Sequence, residues 1–106
     1  MRSRIMYIES KAESLQGPAR IGRARFTKSG TGIYYGGREF YRIDGFKANY
    51  AEDGSNEPYW ISGPRKDGRD RLYSPSALPV EIDEDVREEH WREIREKPEL
   101  SSRTTT

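Results

Sequence analysis

Glycine-bearing turn signals recur so closely along the first two thirds of this chain that no long helix fits between them. Gly17-Pro18, KSGTG at 28–32, Gly36-Gly37, Asp44-Gly45, AEDGSNEP at 51–58, Gly63-Pro64 and Asp67-Gly68 each interrupt the apolar pattern. Glycine supplies the positive φ that tight turns demand, and proline withdraws a backbone donor. Only runs of a few residues remain between these signals. Short β-type runs at such spacing predict an antiparallel sheet that bends or closes on itself.

Residues 4–9 (RIMYIE) carry Ile5 and Tyr7 on one face and Met6 and Ile8 on the other, which predicts a strand covered on both sides. Residues 19–27 (ARIGRARFT) place Ile21 in one phase and Ala24 and Phe26 in the opposite one, and that change around Gly22 predicts a bulge. Residues 28–32 predict a hairpin turn. Further short strands are expected at 33–35, 39–43, 46–50, 59–62 and 71–73. Seven such strands predict a mainly β (α+β) fold, a small antiparallel, SH3-like barrel or strongly bent meander with one C-terminal helix.

That helix is expected over about 84–97. Asp85 is placed to cap it and Glu88 to reach back as in a capping box, with Glu84 near the positive end of the helix dipole. Val86, His90 and Ile94 follow at helical spacing with Trp91 beside them, forming one apolar stripe. Pro98 stops the helix. A single domain over 1–97 and a flexible tail over 98–106 are therefore expected.

The core must be built mainly from aromatics and isoleucine. Only 17 of the 106 residues are Leu, Ile, Val or Phe, but the chain holds 2 Trp and 7 Tyr, side chains that each bury on the order of 150–250 Å². The absence of cysteine excludes disulfides, thiolate zinc sites and cysteine nucleophiles. With no apolar segment of signal-peptide or membrane-spanning length, a cytoplasmic, non-membrane location is expected.

No catalytic pattern is complete. His90 is the sole histidine and lies on the helix stripe, where packing explains it. KSGTG has the wrong order for a phosphate loop and leads into a strand. Glu81, Asp83, Glu84 and Asp85 are explained by helix-start chemistry. A protein that is not an enzyme and has no cofactor or metal is expected.

Charge is distributed unevenly beneath a net value of +1: residues 1–47 carry 10 Lys/Arg against 4 Asp/Glu, and residues 81–106 carry 5 against 9. The candidate binding residues are Arg23, Arg25 and Lys47 in the basic half, with Tyr59, Arg65, Lys66, Arg69, Arg71 and Tyr73 in the segment YWISGPRKDGRDRLY. Two readings of that segment stand. Its arginines grip phosphate or carboxylate while an aromatic stacks on a base, or Asp67 and Asp70 hold them in internal pairs.

The pieces GPARIG (17–22), FTKSGTGIYYGGREF (26–40), FKANY (46–50), YWISGPRKDGRDRLY (59–73) and PVEIDEDVREEHWREIR (79–95) resemble a group of short uncharacterised bacterial proteins. The likeness covers most of the chain and is sharpest at YWISG and KDGRDRLY. Members of that group have at times been labelled 1-deoxy-D-xylulose-5-phosphate synthase. This chain contradicts that label, being far too short and lacking a thiamin-diphosphate motif. The resemblance implies no activity and no catalytic residues.

Two functional expectations follow. One is a small binding module whose basic, aromatic β surface contacts nucleic acid or an acidic protein. The alternative is an inhibitor, immunity or antitoxin-type protein that masks a charged site on its target. A homodimer, with the acidic helix of one copy on the basic sheet of another, is a further expectation.

Overall fold

The computed structural model describes residues 2–12, 17–45, 47–71 and 79–106. Its strands are β1 (Arg2–Ser10), β2 (Ala19–Phe26), β3 (Gly32–Tyr35), β4 (Arg38–Arg42), β5 (Tyr50–Glu52), β6 (Pro58–Ser62) and β7 (Val80–Ile82). The sheet order β1-β6-β5-β4-β3-β2 closes through pairing of β1 with β2, making a six-stranded antiparallel barrel. The seventh strand, β7, runs parallel to β2 along residues 19–21, on the edge that β3 occupies at residues 25–26.

Both faces of β1 are buried from Ile5 to Glu9, as the sequence predicts. Met6 and Ile8 point into the barrel with Ala24, Ile33, Phe40, Tyr50, Tyr59 and Ile61, where Phe40 and Tyr59 meet edge to face at 4.8 Å. Ile5 and Tyr7 point outward into a second layer with Ile21, Ile82, Val86 and Trp91. Each fully buried large side chain of this kind contributes roughly 1.5–3 kcal/mol. One strand thus joins both cores.

The β1–β2 register runs without interruption from Arg2 opposite Phe26 to Glu9 opposite Ala19, so no bulge is present at Gly22. The apolar phase changes because the covering layer changes: Ile21 packs outward beneath β7, whereas Ala24 packs inward. The hairpin at 28–32 and the Gly36-Gly37 turn are present, with Gly30, Gly36 and Gly37 at positive φ.

The strand expected at 46–50 lies further on, at Tyr50–Glu52. Before it the chain bends, and the Asn49 side chain takes over the ladder, accepting from Ile61 N–H at 2.8 Å and donating to Ile61 C=O at 2.7 Å. Of the strand expected at 71–73, Arg71 lies in no strand and residues 72 and 73 fall outside the described residues, as does Phe46.

The helical segment over 84–94 begins as a 3-10 turn (Glu84–Val86), continues as one α-helical turn (Arg87–Glu89) and widens to π-type bonding (His90–Ile94), with Arg95 N–H donating to His90 C=O. Val86, His90 and Trp91 are buried. The cap position belongs to Asp83 rather than Asp85, and no side-chain capping bond forms, because the Asp83 carboxylate is engaged elsewhere. Nor are the residues after Pro98 a loose tail. Thr104 C=O accepts from Ile82 N–H, Thr106 N–H donates to Val80 C=O, and Trp91 Nε1 donates to Arg103 C=O at 3.0 Å. The outer edge of β7 is thereby covered.

Candidate functional site

At one end of the barrel a cleft of about 710 Å³ opens between the end of β1, the start of β2 and the β3–β4 turn. Ile8 and Phe40 form its floor and Tyr59 one wall, while Arg20, Arg23, Arg38, Tyr35, Asp83 and Asp85 line the rim. The placement follows from strand alternation. On β4, Arg38 and Phe40 share the inward face, so an arginine at the strand start arrives at the barrel mouth.

A polar bracket holds this rim. Asp83 accepts from Tyr35 Oη at 2.5 Å and from Arg20 Nε at 2.7 Å. Burial, and next the bond donated to Asp83, hold the Tyr35 hydroxyl protonated well above the usual tyrosine range. Arg23 reaches Glu89 at 2.6 Å. Arg38 is held differently: Nη1 donates to Tyr59 Oη at 2.7 Å, and the nearest carboxylate, Glu52, stands 3.7 Å from Nε.

Other cations of the barrel have another character, and one of them, Arg25, shares a second depression with the cleft-rim residues Arg23, Tyr35, Arg38 and Asp85. Arg2 lies over the Phe26 ring at 6.0 Å, Arg25 over Tyr34 at 5.9 Å and Arg42 over Tyr50 at 5.9 Å. The register gathers Arg2 and Phe26 opposite one another, and Arg42 N–H donates to Thr31 C=O beside the hairpin that carries Lys28. Arg2, Arg4, Arg25, Lys28 and Arg42 are exposed, and none has a carboxylate within ion-pair distance among the described residues. Guanidinium groups on ring faces gain about 0.5–1 kcal/mol at exposed sites while their donor edges stay free.

The loop after β6 is tied to the protein and to itself. Arg65 pairs with Asp67 at 3.2 Å, Lys66 with Glu96, and the Arg69 backbone N–H donates to Asp67 at 2.9 Å. Asp70 is buried and accepts from Arg65 N–H at 2.6 Å. Its carboxyl is pushed up by burial, against that bond. Arg71 turns inward, donating to Gly17 C=O at 2.8 Å and lying 3.3 Å from Glu9. Glu9, wholly buried, also accepts from Tyr7 Oη, Lys11 Nζ and Gly17 N–H.

Among the residues singled out from sequence, Arg23 and Tyr59 therefore meet at the cleft, and Arg25 stands beside its rim with Tyr34. Lys47 is exposed in the bend before β5. Arg65, Lys66 and Arg69 share the loop, Arg71 is a buried counter-ion, and Tyr73 lies outside the described residues. Sequence reasoning counted Arg20 and Arg38 only for their charge and read Asp83 as helix-start chemistry. The alternation of Arg38 with Phe40 beside the double-glycine turn was the available signal for Arg38. Nothing local marks the Asp83 bracket, whose members come from β2, β3 and the turn after β7. Comparison with protein-family models, curated proteins and solved structures finds no match for this chain.

Proposed function

We propose that this protein is a non-enzymatic nucleic-acid-binding module that uses the exposed basic residues of its barrel. The observation that carries this reading is the set of three ring-supported arginines, Arg2, Arg25 and Arg42, without carboxylate partners among the described residues. With Arg4 and Lys28 they form a cationic surface on which phosphates replace solvent rather than internal ion pairs. Exposed parts of Phe26 and Tyr34 offer stacking faces between the charges. The acidic residues beside these cations are Asp44 and Glu39, which stands opposite Tyr34 in the β3–β4 register.

The acidic helix favours the same reading over an inhibitor that presents its negative charge. Glu88 and Glu93 pair with Arg92, Glu89 with Arg23 and Glu96 with Lys66. Four carboxylates of that negative face are thereby engaged within the chain.

Fluorescence anisotropy with labelled single- and double-stranded DNA and RNA, at two salt concentrations, tests the proposal. Binding at low salt is expected, with log K falling against log salt at a slope of about −3 to −5 for five cations. Arg25→Gln combined with Arg42→Gln is expected to weaken binding at least about tenfold, and Arg92→Gln to leave it unchanged. No binding at low salt overturns the proposal, and so does capture of an acidic protein by a chain with no nucleic-acid affinity.

A further inference from the structure

The outer apolar layer, built on β1, β2 and β7, does not extend over the outward face of the β3–β4 hairpin, where Glu39 and Tyr41 are exposed. We infer that this face binds an unpaired nucleic-acid strand, with two neighbouring bases lying on Tyr34 and Tyr41, phosphates on Arg25 and Lys28, and Glu39 between the rings accepting from a base amino group. This rests on the nucleic-acid reading and names the form of nucleic acid it takes.

Strand alternation sets the face. Ile33 and Phe40 point into the barrel, so Tyr34, Glu39 and Tyr41 point out. The register puts Glu39 opposite Tyr34 and Tyr41 opposite Gly32, which makes the two tyrosines diagonal neighbours, with Cα atoms roughly 7–8 Å apart. Tyr41 is the one exposed large hydrophobic side chain among the described residues, at 38%. Its hydroxyl donates to Asn56 Oδ1 at 2.5 Å, so the ring is set in place before a base arrives. Glu39 borders two depressions. One, of about 490 Å³, runs past Arg25 and Tyr34, and the other, of about 260 Å³, lies beside Tyr41 and is edged by Thr27, Ser29, Thr31 and Asp53.

Spacing selects against a duplex. Consecutive bases of a duplex strand rise only about 3.4 Å, less than half the separation of the two tyrosines, and their ring faces are covered by their neighbours. Two adjacent bases reach both tyrosines only when they are unstacked from each other, as in an unpaired strand.

Charge points the same way. Glu39 and Asp53 have no Lys or Arg within ion-pair distance among the described residues. A duplex presents its phosphates to such a surface and is repelled, whereas an unpaired strand turns its bases there, and a carboxylate accepts from the amino group of cytosine or adenine. The cations stand at the margin: Arg25 lies over the Tyr34 ring at 5.9 Å, and Lys28 is exposed in the turn between β2 and β3.

Fluorescence anisotropy of the full chain with a labelled mixed-sequence oligonucleotide, unpaired and as its matching duplex, in deoxyribose and ribose versions, tests the inference. The unpaired strand is expected to bind at least about tenfold more tightly than the duplex. Tyr34→Ala and Tyr41→Ala are each expected to weaken the unpaired strand roughly five- to a hundredfold and to leave the duplex unchanged, while Tyr34→Phe, which keeps the ring, binds like the native chain. Urea midpoints establish folding, and Tyr41→Ala, at the exposed position, carries the test if Tyr34→Ala unfolds. Oligocytidylate is expected to bind several-fold more tightly than oligouridylate, and Glu39→Ala to remove that difference. Equal binding of strand and duplex, native binding by the folded alanine variants, or a cytosine preference that is absent or survives Glu39→Ala each overturn the inference and leave the nucleic-acid reading standing. No binding of any of these probes at low salt overturns both.

Discussion

The Tyr35 hydroxyl donates to the Asp83 carboxylate at 2.5 Å directly over Gly22. This bond spans the fork where β3 leaves the β2 edge and β7 takes it up. A side chain at position 22 would occupy the same space, since a Cβ there overlaps both the Tyr35 ring and the Asp83 oxygen.

Gly22→Ala is therefore expected to destabilise the protein by about 1–3 kcal/mol through overpacking. Gly63→Ala, at a position where an added Cβ meets nothing within 4 Å, is expected to stay within about 0.5 kcal/mol of the native chain. Urea unfolding of the two variants checks the contrast, and equal losses would refute the account of the fork.

Asn49→Ala removes the side chain that stands in for a strand beside Ile61. It leaves the Ile61 N–H and C=O without those partners, at a cost of roughly 1–3 kcal/mol. Hydrogen exchange at the Ile61 amide should accelerate well before that at Ile5. Uniform acceleration throughout the barrel would show that Asn49 acts on global stability alone.

His90 is wholly buried, with neither ring nitrogen hydrogen-bonded among the described residues. Burial, and then the nearby Arg95 charge, lower its pKa from 6.5 to about 4. The unfolded chain therefore binds the proton first, so stability is full above about pH 6.5 and declines as pH falls towards about 4, by on the order of 3 kcal/mol. His90→Leu should flatten that part of the stability profile, measured by urea midpoints between pH 7 and 4. An unchanged profile would place the titration elsewhere.

Glu9 and Arg71 form a buried charge pair, with side chains 0% and 8% exposed, beside the still deeper pair of Glu9 with Lys11. Arg71→Met should cost about 3–5 kcal/mol by leaving a buried carboxylate with one cation fewer. Glu9→Gln should cost a similar amount by leaving Lys11 and Arg71 buried as like charges. The double variant should lose clearly less than the sum of the single losses. Strict additivity in urea unfolding would mean that the two groups do not act as a unit.

Much of the barrel was legible because its causes are local. Gly30, Gly36 and Gly37 turn the chain where positive φ is required, and the doubly apolar run from Ile5 to Ile8 declares a strand that must be covered twice. The phase change at Gly22 was equally visible, but its cause was not. Two different layers cover a regular strand, and a one-dimensional pattern does not distinguish that from a bulge. β7, the displaced β5 and the docked residues 104–106 escaped for a related reason: each is a strand partner chosen by a distant edge, and three residues carry little periodicity.

The sequence by itself determined the turn-punctuated β fold, the aromatic core and the helical stripe of Val86, His90 and Trp91, because turn chemistry and hydrophobic spacing act within a few residues. It also determined how much charge lies in each part of the chain. Only the tertiary structure decided which charges are closed upon one another. Arg23 finds Glu89, Lys66 finds Glu96 and Arg71 turns in to Glu9, while Arg2, Arg25 and Arg42 lie on aromatic rings and Arg38 faces a cleft. Ion pairing depends on separations of a few ångströms between residues far apart in sequence, and those separations exist only after the barrel has closed.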